Sequence, residues 1–477
     1  MKRFYRLAFL LVLLCYSLVS NAQNDVASFS LMRLSPYVNY YNPGIRVPYN
    51  GVFGLGISNF NVSVNNSSIR YNNVFSPDAA GGMIIDGKKL VNSLKEEGNY
   101  IGANFNLDII NIGARFGKLF FNIDWRMKME NTLSYSKDFV GLFVYGNGHY
   151  MGADNPCKFN LGFETSLYSE LGVAVQYDVN KQLTVGVRPK ILFGLENVSI
   201  NNNDTKIYTD PDTYVITADA NLSMKAASLV SMGDVYTIND VLNIVDYEDI
   251  MSGIGRISNN VGFGLDFGAS YLINRHFGVA LGVYDLGFVK WNETLEKTKT
   301  SQNVVINDAL VSDITDISSM ELDYTTMIDR VIEGVWGNDS LTTGGSYKTS
   351  LKTKISLQGY YELNPMLRVT AIGQMYYFNK KMRPSLTLAY SGSLVVNFID
   401  LMANVTMSKY FGSKVGLGLG IHLGPINLYA TADNVLMLGK VSASAMEALT
   451  SWNSAGFRVG LVLSFGKYQE AKYRVEE

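Results

Sequence analysis

Long runs of strictly alternating residues constrain this chain more than any other feature of its sequence. In residues 121–130, 415–424 and 456–465, apolar residues alternate with charged, polar or glycine residues. Successive side chains of a strand point to opposite faces, so each run has one apolar face. Each run lasts for about 10 residues, which a tilted strand needs to cross a membrane, whereas strands of soluble sheets average about 5–6. The pattern predicts an all-β fold, a transmembrane antiparallel β-barrel.

A recurring hairpin supports the number of strands. Residues 177–183, 271–277 and 361–367 each contain a tyrosine, a short turn built on asparagine and the start of an alternating strand. Asparagine favours turns, and tyrosine suits the aromatic girdle of a membrane interface. With short turns on the periplasmic side, the chain is predicted to form about 14 strands, near 51–64, 101–116, 118–132, 166–179, 182–198, 259–273, 276–291, 347–362, 366–379, 384–396, 398–408, 414–423, 425–434 and 454–466.

The segments between these hairpins are predicted to be long extracellular loops with short helices. The loops are 65–100, 133–165, 199–258, 292–346 and 435–453. Apolar residues recur at helical spacing in 316–336, and Asp86 is expected to cap a helix that runs through Glu97 and stops at Gly98. Capping boxes are predicted at Ser318–Glu321, Thr237–Asp240 and Ser444–Glu447. Such helices either cover the barrel mouth or form an apolar vestibule.

The N-terminus predicts export. Three basic residues precede the apolar run 7–19, and Ser20-Asn21-Ala22 supplies small residues at a cleavage site. These features are typical of a signal peptide, residues 1–22. Residues 23–50 contain three prolines and are predicted to form a periplasmic or luminal plug-like segment. The barrel then spans 51–466, and 467–477 form a periplasmic C-terminal tail. Only Cys157 remains after cleavage, so no intramolecular disulfide is expected.

The inner face of the predicted barrel carries charge and glycine. Gly416, Gly418 and Gly420 leave luminal space that the N-terminal segment is expected to fill. The charged residues either pair with one another or line a polar pore and hold the plug. The candidates are Asp124, Arg126, Lys128, Glu130, Arg188, Lys190, Arg368 and Arg458.

Pro189 is unusual because it lies within an otherwise regular strand, in phase with the lipid-facing residues. Proline lacks the amide hydrogen that a sheet requires. We therefore expect a kink or bulge there, which is either a local irregularity or a side opening in the wall.

Catalytic and metal-binding motifs are not evident. His149, His276 and His422 are not placed with a nucleophile by any recognisable motif, and no spacing indicates clustered metal ligands. We expect no metal, no cofactor and no enzymatic activity. The chain has 40 basic and 42 acidic residues and no basic patch, so nucleic acid is not an expected partner.

Several short motifs resemble known barrel families. Asn42-Pro43-Gly44 shortly before the first strand, the signal peptide and the strand number resemble the long-chain fatty-acid transporter superfamily, whose N-terminal hatch carries Asn-Pro-Ala. Gly44 in place of alanine is a departure. Gly424-Pro425, Tyr429 with 432–434, and Arg458-Val459-Gly460 are similar to an uncharacterised Bacteroidota outer-membrane barrel family with a domain of unknown function.

The resemblance implies a location in the outer membrane of a Gram-negative cell. It also implies passive uptake of small hydrophobic solutes through a plugged lumen with a lateral opening, and makes Asn42, Pro43 and Gly44 the candidate ligand-binding or plug residues. The alternative is a protein-docking or secretion-associated barrel that serves as a shuttle or scaffold. The expected partners are outer-membrane lipids, a small hydrophobic ligand, and a secretion-system or cargo protein.

Overall fold

The computed structural model describes most of the predicted barrel. Its described residues are 37–56, 58–69, 74–77, 83–152, 154–202, 204–228, 258–292, 294–306, 342–364, 367–378, 381–395, 398–407, 414–434 and 454–466. The predicted signal peptide, the tail 467–477 and the helices expected near 237–240, 316–336 and 444–447 lie outside these residues.

Fourteen antiparallel strands close into a barrel, as the alternating pattern predicts. Each strand pairs with the next along the chain, and β14 pairs with β1. The strands are β1 (Gly51–Leu55 and Phe60–Asn66), β2 (Asn99–Phe116), β3 (Leu119–Tyr135), β4 (Leu161–Asp178), β5 (Leu183–Asn202), β6 (Asn260–Leu272), β7 (Phe277–Trp291), β8 (Tyr347–Ser350 and Lys354–Asn364), β9 (Leu367–Phe378), β10 (Lys381–Val395), β11 (Ile399–Met407), β12 (Lys414–Leu423), β13 (Ile426–Ala432) and β14 (Ser454–Phe465).

The alternation of the sequence separates an outer face from an inner face. In β12, Leu417, Leu419 and Leu423 are exposed on the outside, whereas Lys414 and His422 are buried inside. An apolar exterior suits the lipid side of a transmembrane barrel, and a polar interior suits its lumen. No helix in the described part of the chain is both long enough and apolar enough to span a bilayer.

The first strand is interrupted, although the sequence predicts one run over 51–64. It stops at Leu55, where Gly56 adopts a φ of +61°, and resumes at Phe60. Ser58 and Asn59 turn into the buried interior. There, the Ser58 carbonyl accepts the Tyr429 hydroxyl at 2.9 Å. The interior contacts therefore compensate for the broken ladder.

Two short α-helices lie in the described parts of the long loops. Helix α1 spans Gly87–Ser93 and ends four residues before the predicted Glu97. The predicted cap is confirmed, because Asp86 accepts the Lys89 amide at 2.9 Å, and that bond holds the pKa of Asp86 below its usual range. Helix α2 spans Lys137–Tyr145.

An extracellular sheet replaces much of the expected loop structure. Ile216–Ser228 pairs with the outer end of β5 and with Thr294–Ile306. Two shorter strands, Lys206–Thr209 and Thr342–Gly344, extend these pairings. An apolar cluster joins this sheet to Leu142 of α2. The barrel wall therefore continues outward as a folded extracellular lobe.

Candidate functional site

The described part of the predicted N-terminal segment lies inside the barrel. Residues 37–50, here called the luminal segment, begin with a short helical turn at Val38–Tyr40. Gln176 of β4 donates to the Pro43 carbonyl at 2.7 Å and to the Ile45 carbonyl at 2.6 Å. Its side-chain oxygen accepts the Val47 amide at 3.0 Å. One wall glutamine therefore binds three successive parts of the segment.

The Asn42-Pro43-Gly44 element is seated between β5, β6 and β7. The side-chain nitrogen of Asn42 donates to the Leu281 carbonyl at 3.0 Å, and the side-chain oxygen of Asn42 accepts the backbone N–H of Gly44 at 2.8 Å. The Ser270 hydroxyl donates to the Gly44 carbonyl at 2.6 Å. A Cβ at position 44 would lie 2.3 Å from the backbone nitrogen of Ala269. Glycine is required here because the segment and the wall touch through their backbones.

The glycines that face the luminal segment differ from those expected. A Cβ on Gly186 would lie 1.9 Å from the Pro43 carbonyl oxygen. Gly416 and Gly418 instead adjoin the side chains of Asn404 and Met402 on the neighbouring β11, and Gly420 is buried in the same strand. The side chains of Asn404 and Met402 therefore fill the space beside Gly416 and Gly418, because protein interiors are closely packed.

Tyrosines of the luminal segment lie against cations of the wall. The Arg126 guanidinium is 4.0 Å from the ring centre of Tyr40, and that of Arg458 is 4.9 Å from the ring of Tyr41. A cation over an aromatic face is attracted to the ring, more strongly when both are desolvated. These contacts link the segment to β3 and β14.

Buried charges form a network directly beyond these rings. The charge network consists of Asp124, Arg126, Lys128, Glu170, Arg188, Lys190, Asp266 and Asp285. Arg188 is 1% exposed and contacts three carboxylates: Asp124 at 2.9 Å, Glu170 at 2.6 Å and Asp266 at 2.8 Å. Mutual pairing, the first of the two predicted roles, thus describes these charges.

Lysines complete the outer half of the network. Lys190 lies 2.5 Å from Asp285 and 2.7 Å from Asp266. Lys128 lies 2.9 Å from Glu170 and 3.2 Å from Asp285. Every acid is therefore shared by several cations, as buried charge requires.

Three predicted luminal charges lie apart from the network, and one of them, Arg458, is the cation over the Tyr41 ring. Glu130 pairs with Lys352 of the segment between the two halves of β8, at 3.0 Å. Arg368 pairs with Glu362 across the β8–β9 turn. Sequence reasoning named neither Glu170 nor Asp285 as site residues. Glu170 is in strand phase with the inward residues of β4, which is a signal that identifies it. Asp285 is in phase with the outward residues of β7 and is turned inward only by the irregularity at 284–285, so alternation could not have found it.

Pro189 faces outward as predicted, and the β4–β5 ladder is interrupted there, although the register is the same before and after the interruption. Gly172 pairs with Lys190 and Val175 with Val187 on one side, and Leu265 pairs with Pro189 on the other. The predicted irregularity at Pro189 is therefore a two-residue gap in the pairing with β4, without a shift of register. The β6–β7 register shifts between Leu265 and Phe267.

A larger irregularity lies between β7 and β8. Pairing stops at Tyr284↔Lys354 and resumes at Phe288↔Ser350. Residues 285–287 and 351–353 fall between these pairs, and Asp285 has a φ of +53°. The left-handed conformation is unusual for a residue with a side chain, and Asp285 holds it while bound to Lys128 and Lys190. This stretch is called the β7–β8 break.

Two cavities adjoin the β7–β8 break. The inner cavity is lined by five of the eight network residues together with Tyr40, Tyr41 and Lys354 among others. The outer cavity is lined by Tyr168, Val289 and Leu351 as well as polar residues.

His422 and Cys157 are both buried, in separate parts of the structure. His422 Nδ1 lies 2.5 Å from Asn427 Oδ1, and its Nε2 lies 3.8 Å from Asp400. Cys157 is fully buried in the extracellular lobe, and burial raises the pKa of its thiol. Among the described residues, no group of three potential ligands could hold a metal ion.

The family follows from a sequence match. The model of a family of unknown function, DUF5723, matches residues 43–433. The chain belongs to this family. Membership confirms the resemblance to a barrel family of unknown function, and the match begins at Pro43 within the luminal segment. No curated protein sequence matches this DUF5723 chain.

Solved barrels resemble the chain in fold. A FadL homologue of Pseudomonas aeruginosa is 8% identical, with 94% of this chain and 99% of that chain covered and a TM-score of 0.45. The toluene transporter TodX of Pseudomonas putida is 10% identical, with 94% and 98% covered and a TM-score of 0.43. The translocator domain of the autotransporter NalP from Neisseria meningitidis also matches, at 8% identity, 87% and 88% coverage and a TM-score of 0.33. These likenesses concern the barrel architecture and carry no argument about substrate.

Proposed function

We propose that this barrel takes up small hydrophobic solutes from outside and releases them sideways through the β7–β8 break. The observation that carries the proposal is the order of layers in the lumen. An apolar cluster, which includes Leu192, Val289, Trp291 and Leu351, lies toward the outer end. The charge network lies beneath it, and the luminal segment lies beneath the network.

An apolar solute is favoured in the upper layer and disfavoured in the lower ones. Burying an apolar surface against the upper cluster releases water. Contact with the network would instead remove water from the paired charges, and an apolar solute offers no hydrogen bonds in its place. The outer cavity adjoins Leu351, which lies within the β7–β8 break. A solute that enters this cavity therefore has a route toward the lipid-facing side of the wall that avoids the network.

The luminal segment acts as the plug in this proposal. Its bonds to β4, β6 and β7 tie it to the half of the barrel that carries the short turns. Asn42, Pro43 and Gly44 are its anchor. Pro189 keeps its pairing with β6, and the proposed opening between β7 and β8 lies two strands further along the wall.

Filling the outer cavity tests the route. Leu351 is 5% exposed, and Leu351→Trp should fill the cavity and reduce uptake of radiolabelled toluene several-fold in cells that carry the protein. Leu357→Trp is the matched control, because Leu357 lies six residues further along the chain in the second half of β8, is 61% exposed on the outside, and has room for the ring. Equal uptake by both variants and the unmodified protein would contradict the proposal.

The extracellular lobe favours a second candidate function, docking of a protein. Tyr214 is 68% exposed and Val215 is 41% exposed at the tip of the hairpin between 206–209 and 216–228. Exposed apolar residues at a protruding tip can contact a partner. A photo-crosslinker at position 214 should then trap one specific secretion-system or cargo protein, and the same group at Leu357 should not. Equal labelling at both positions would count against docking.

A further inference from the structure

We propose that Lys290 and Lys348 bind the phosphate group of a lipid on the outer surface of the barrel, directly above the β7–β8 break. The two lysines lie opposite each other across the strand pair, because Lys290 of β7 is in register with Lys348 of β8. Both are exposed, and Lys290 alternates with the buried Val289 and Trp291. The pair therefore faces away from the lumen.

The pair concentrates positive charge on the outer surface. Side chains directly opposite each other on one face lie about 4.5–5.5 Å apart at Cβ, and like charges so placed repel each other. Among the described residues, the Lys290 side chain has no ion pair, hydrogen bond or ring contact, and the Lys348 side chain contacts only Phe288, 4.3 Å from the ring centre. An anion between the two ammonium groups removes this repulsion, and phosphate oxygens accept strong charge-assisted hydrogen bonds.

A second pair of opposed lysines lies in the extracellular lobe and differs in its surroundings. Lys206 is in register with Lys158, and both are exposed. On its other side, Lys206 is in register with Asp219, so a carboxylate adjoins this pair. Neither Lys290 nor Lys348 forms an ion pair with any carboxylate that the structure describes. The pair on β7 and β8 therefore offers its charge to an anion from outside the chain.

The height of the pair matches the headgroups of a bilayer. Strand β7 has 15 residues, and its first residue, Phe277, is in register with Tyr361, which the sequence assigns to the interfacial girdle. At about 3.3 Å per residue and a tilt of about 40°, a strand of that length rises about 35 Å, whereas the apolar band of a barrel is about 25 Å tall. Lys290 is the last residue but one of β7 and therefore lies above the apolar band.

An apolar surface begins directly below the lysines. Phe288 is in register with the exposed Phe263 of β6, and the exposed Leu286 follows toward the membrane centre. Leu281 and Leu357, which are in register and exposed, continue the surface below the β7–β8 break. The acyl chains of a lipid whose phosphate is bound by the lysines lie along this surface and across the lipid-facing side of the break. The site needs a bilayer but no transported solute, so it does not depend on the proposed uptake.

Native mass spectrometry of the full-length protein in a neutral detergent tests the site. The probes are dioleoyl phosphatidic acid and dioleoylglycerol, which differ only in the phosphate, and inorganic phosphate as a competitor. A cation near an anionic lipid contributes about 1 kcal/mol, a factor of about five in affinity, so two lysines should favour phosphatidic acid about thirtyfold over dioleoylglycerol. Equal binding of the two lipids would overturn the proposal. Displacement of phosphatidic acid by inorganic phosphate at equal concentration would overturn the assignment to a lipid.

Substitution of the lysines assigns the binding to this pair. Lys290→Gln and Lys348→Gln should each weaken the binding of phosphatidic acid about fivefold, the double variant should bind it no better than dioleoylglycerol, and Lys348→Arg should retain the preference. The matched control is the double variant Lys158→Gln and Lys206→Gln, which removes two charges from the opposed pair in the lobe and should leave binding unchanged. Equal losses in the two double variants, or no loss in the first, would overturn the assignment. All four side chains are exposed, and the gel shift between boiled and unboiled samples verifies that each variant is folded.

Discussion

Replacing Gly186 with alanine should release the luminal segment from the barrel wall. The new Cβ would lie 1.9 Å from the Pro43 carbonyl oxygen and 2.3 Å from its carbon, both backbone atoms that cannot rotate away. Ordinary contacts of a Cβ begin near 3.4 Å. The segment must therefore retreat by more than an ångström, and β5 cannot yield because it is paired on both sides.

The magnitude follows from the bonds that such a shift breaks. Gln176 to Pro43, Asn42 to Leu281 and Ser270 to Gly44 are all shorter than 3.1 Å and lie around the clash. At about 1 kcal/mol each, their loss removes about 3 kcal/mol of docking free energy. This raises the undocked population about a hundredfold.

Conductance across a planar bilayer measures that population. Gly186→Ala should increase the frequency of channel openings about a hundredfold by the same arithmetic. Gly359→Ala is the matched control, because Gly359 lies in β8 and nothing stands within 4 Å of the position of its Cβ. If the two variants open equally often, the luminal segment does not close the barrel and our reasoning fails.

Three further results are expected. Arg188→Met should lower the free energy of unfolding by about 3 kcal/mol, since it removes one cation that three buried carboxylates share and leaves the network with excess negative charge. Arg368→Met, at a half-buried pair near a turn, should cost about 1 kcal/mol or less. Unfolding in urea is followed by the gel shift between boiled and unboiled samples, and equal midpoints for the two variants would contradict this expectation. Cys157 should resist maleimide in the folded protein even above about pH 8.5, the usual pKa of a thiol, because burial raises the pKa of this thiol and keeps it neutral; rapid labelling before unfolding would refute it. Denatured mature protein should show one thiol by mass spectrometry, because residues 1–22 are expected to be removed together with Cys15. Two thiols would contradict cleavage.

The sequence was sufficient for features that depend on neighbours along the chain. The strand number and most strand positions follow from alternation with a period of two residues, which continues until the chain leaves the membrane. The Asp86 cap is equally local, since a side chain and an amide three residues later satisfy each other. The inward orientation of Asp124, Arg126 and Arg188 also follows from phase alone.

Contacts between distant strands required the tertiary structure. Arg188 meets Asp124, Glu170 and Asp266 only because β3 to β6 are adjacent in the closed barrel. The glycines that accommodate the luminal segment are determined by where that segment lies, which alternation does not encode. Ladder breaks at β1 and at β7–β8 likewise depend on interior bonds that replace strand pairing. Periodicity thus determines which face a side chain occupies, whereas closure of the barrel decides which side chains meet across the lumen.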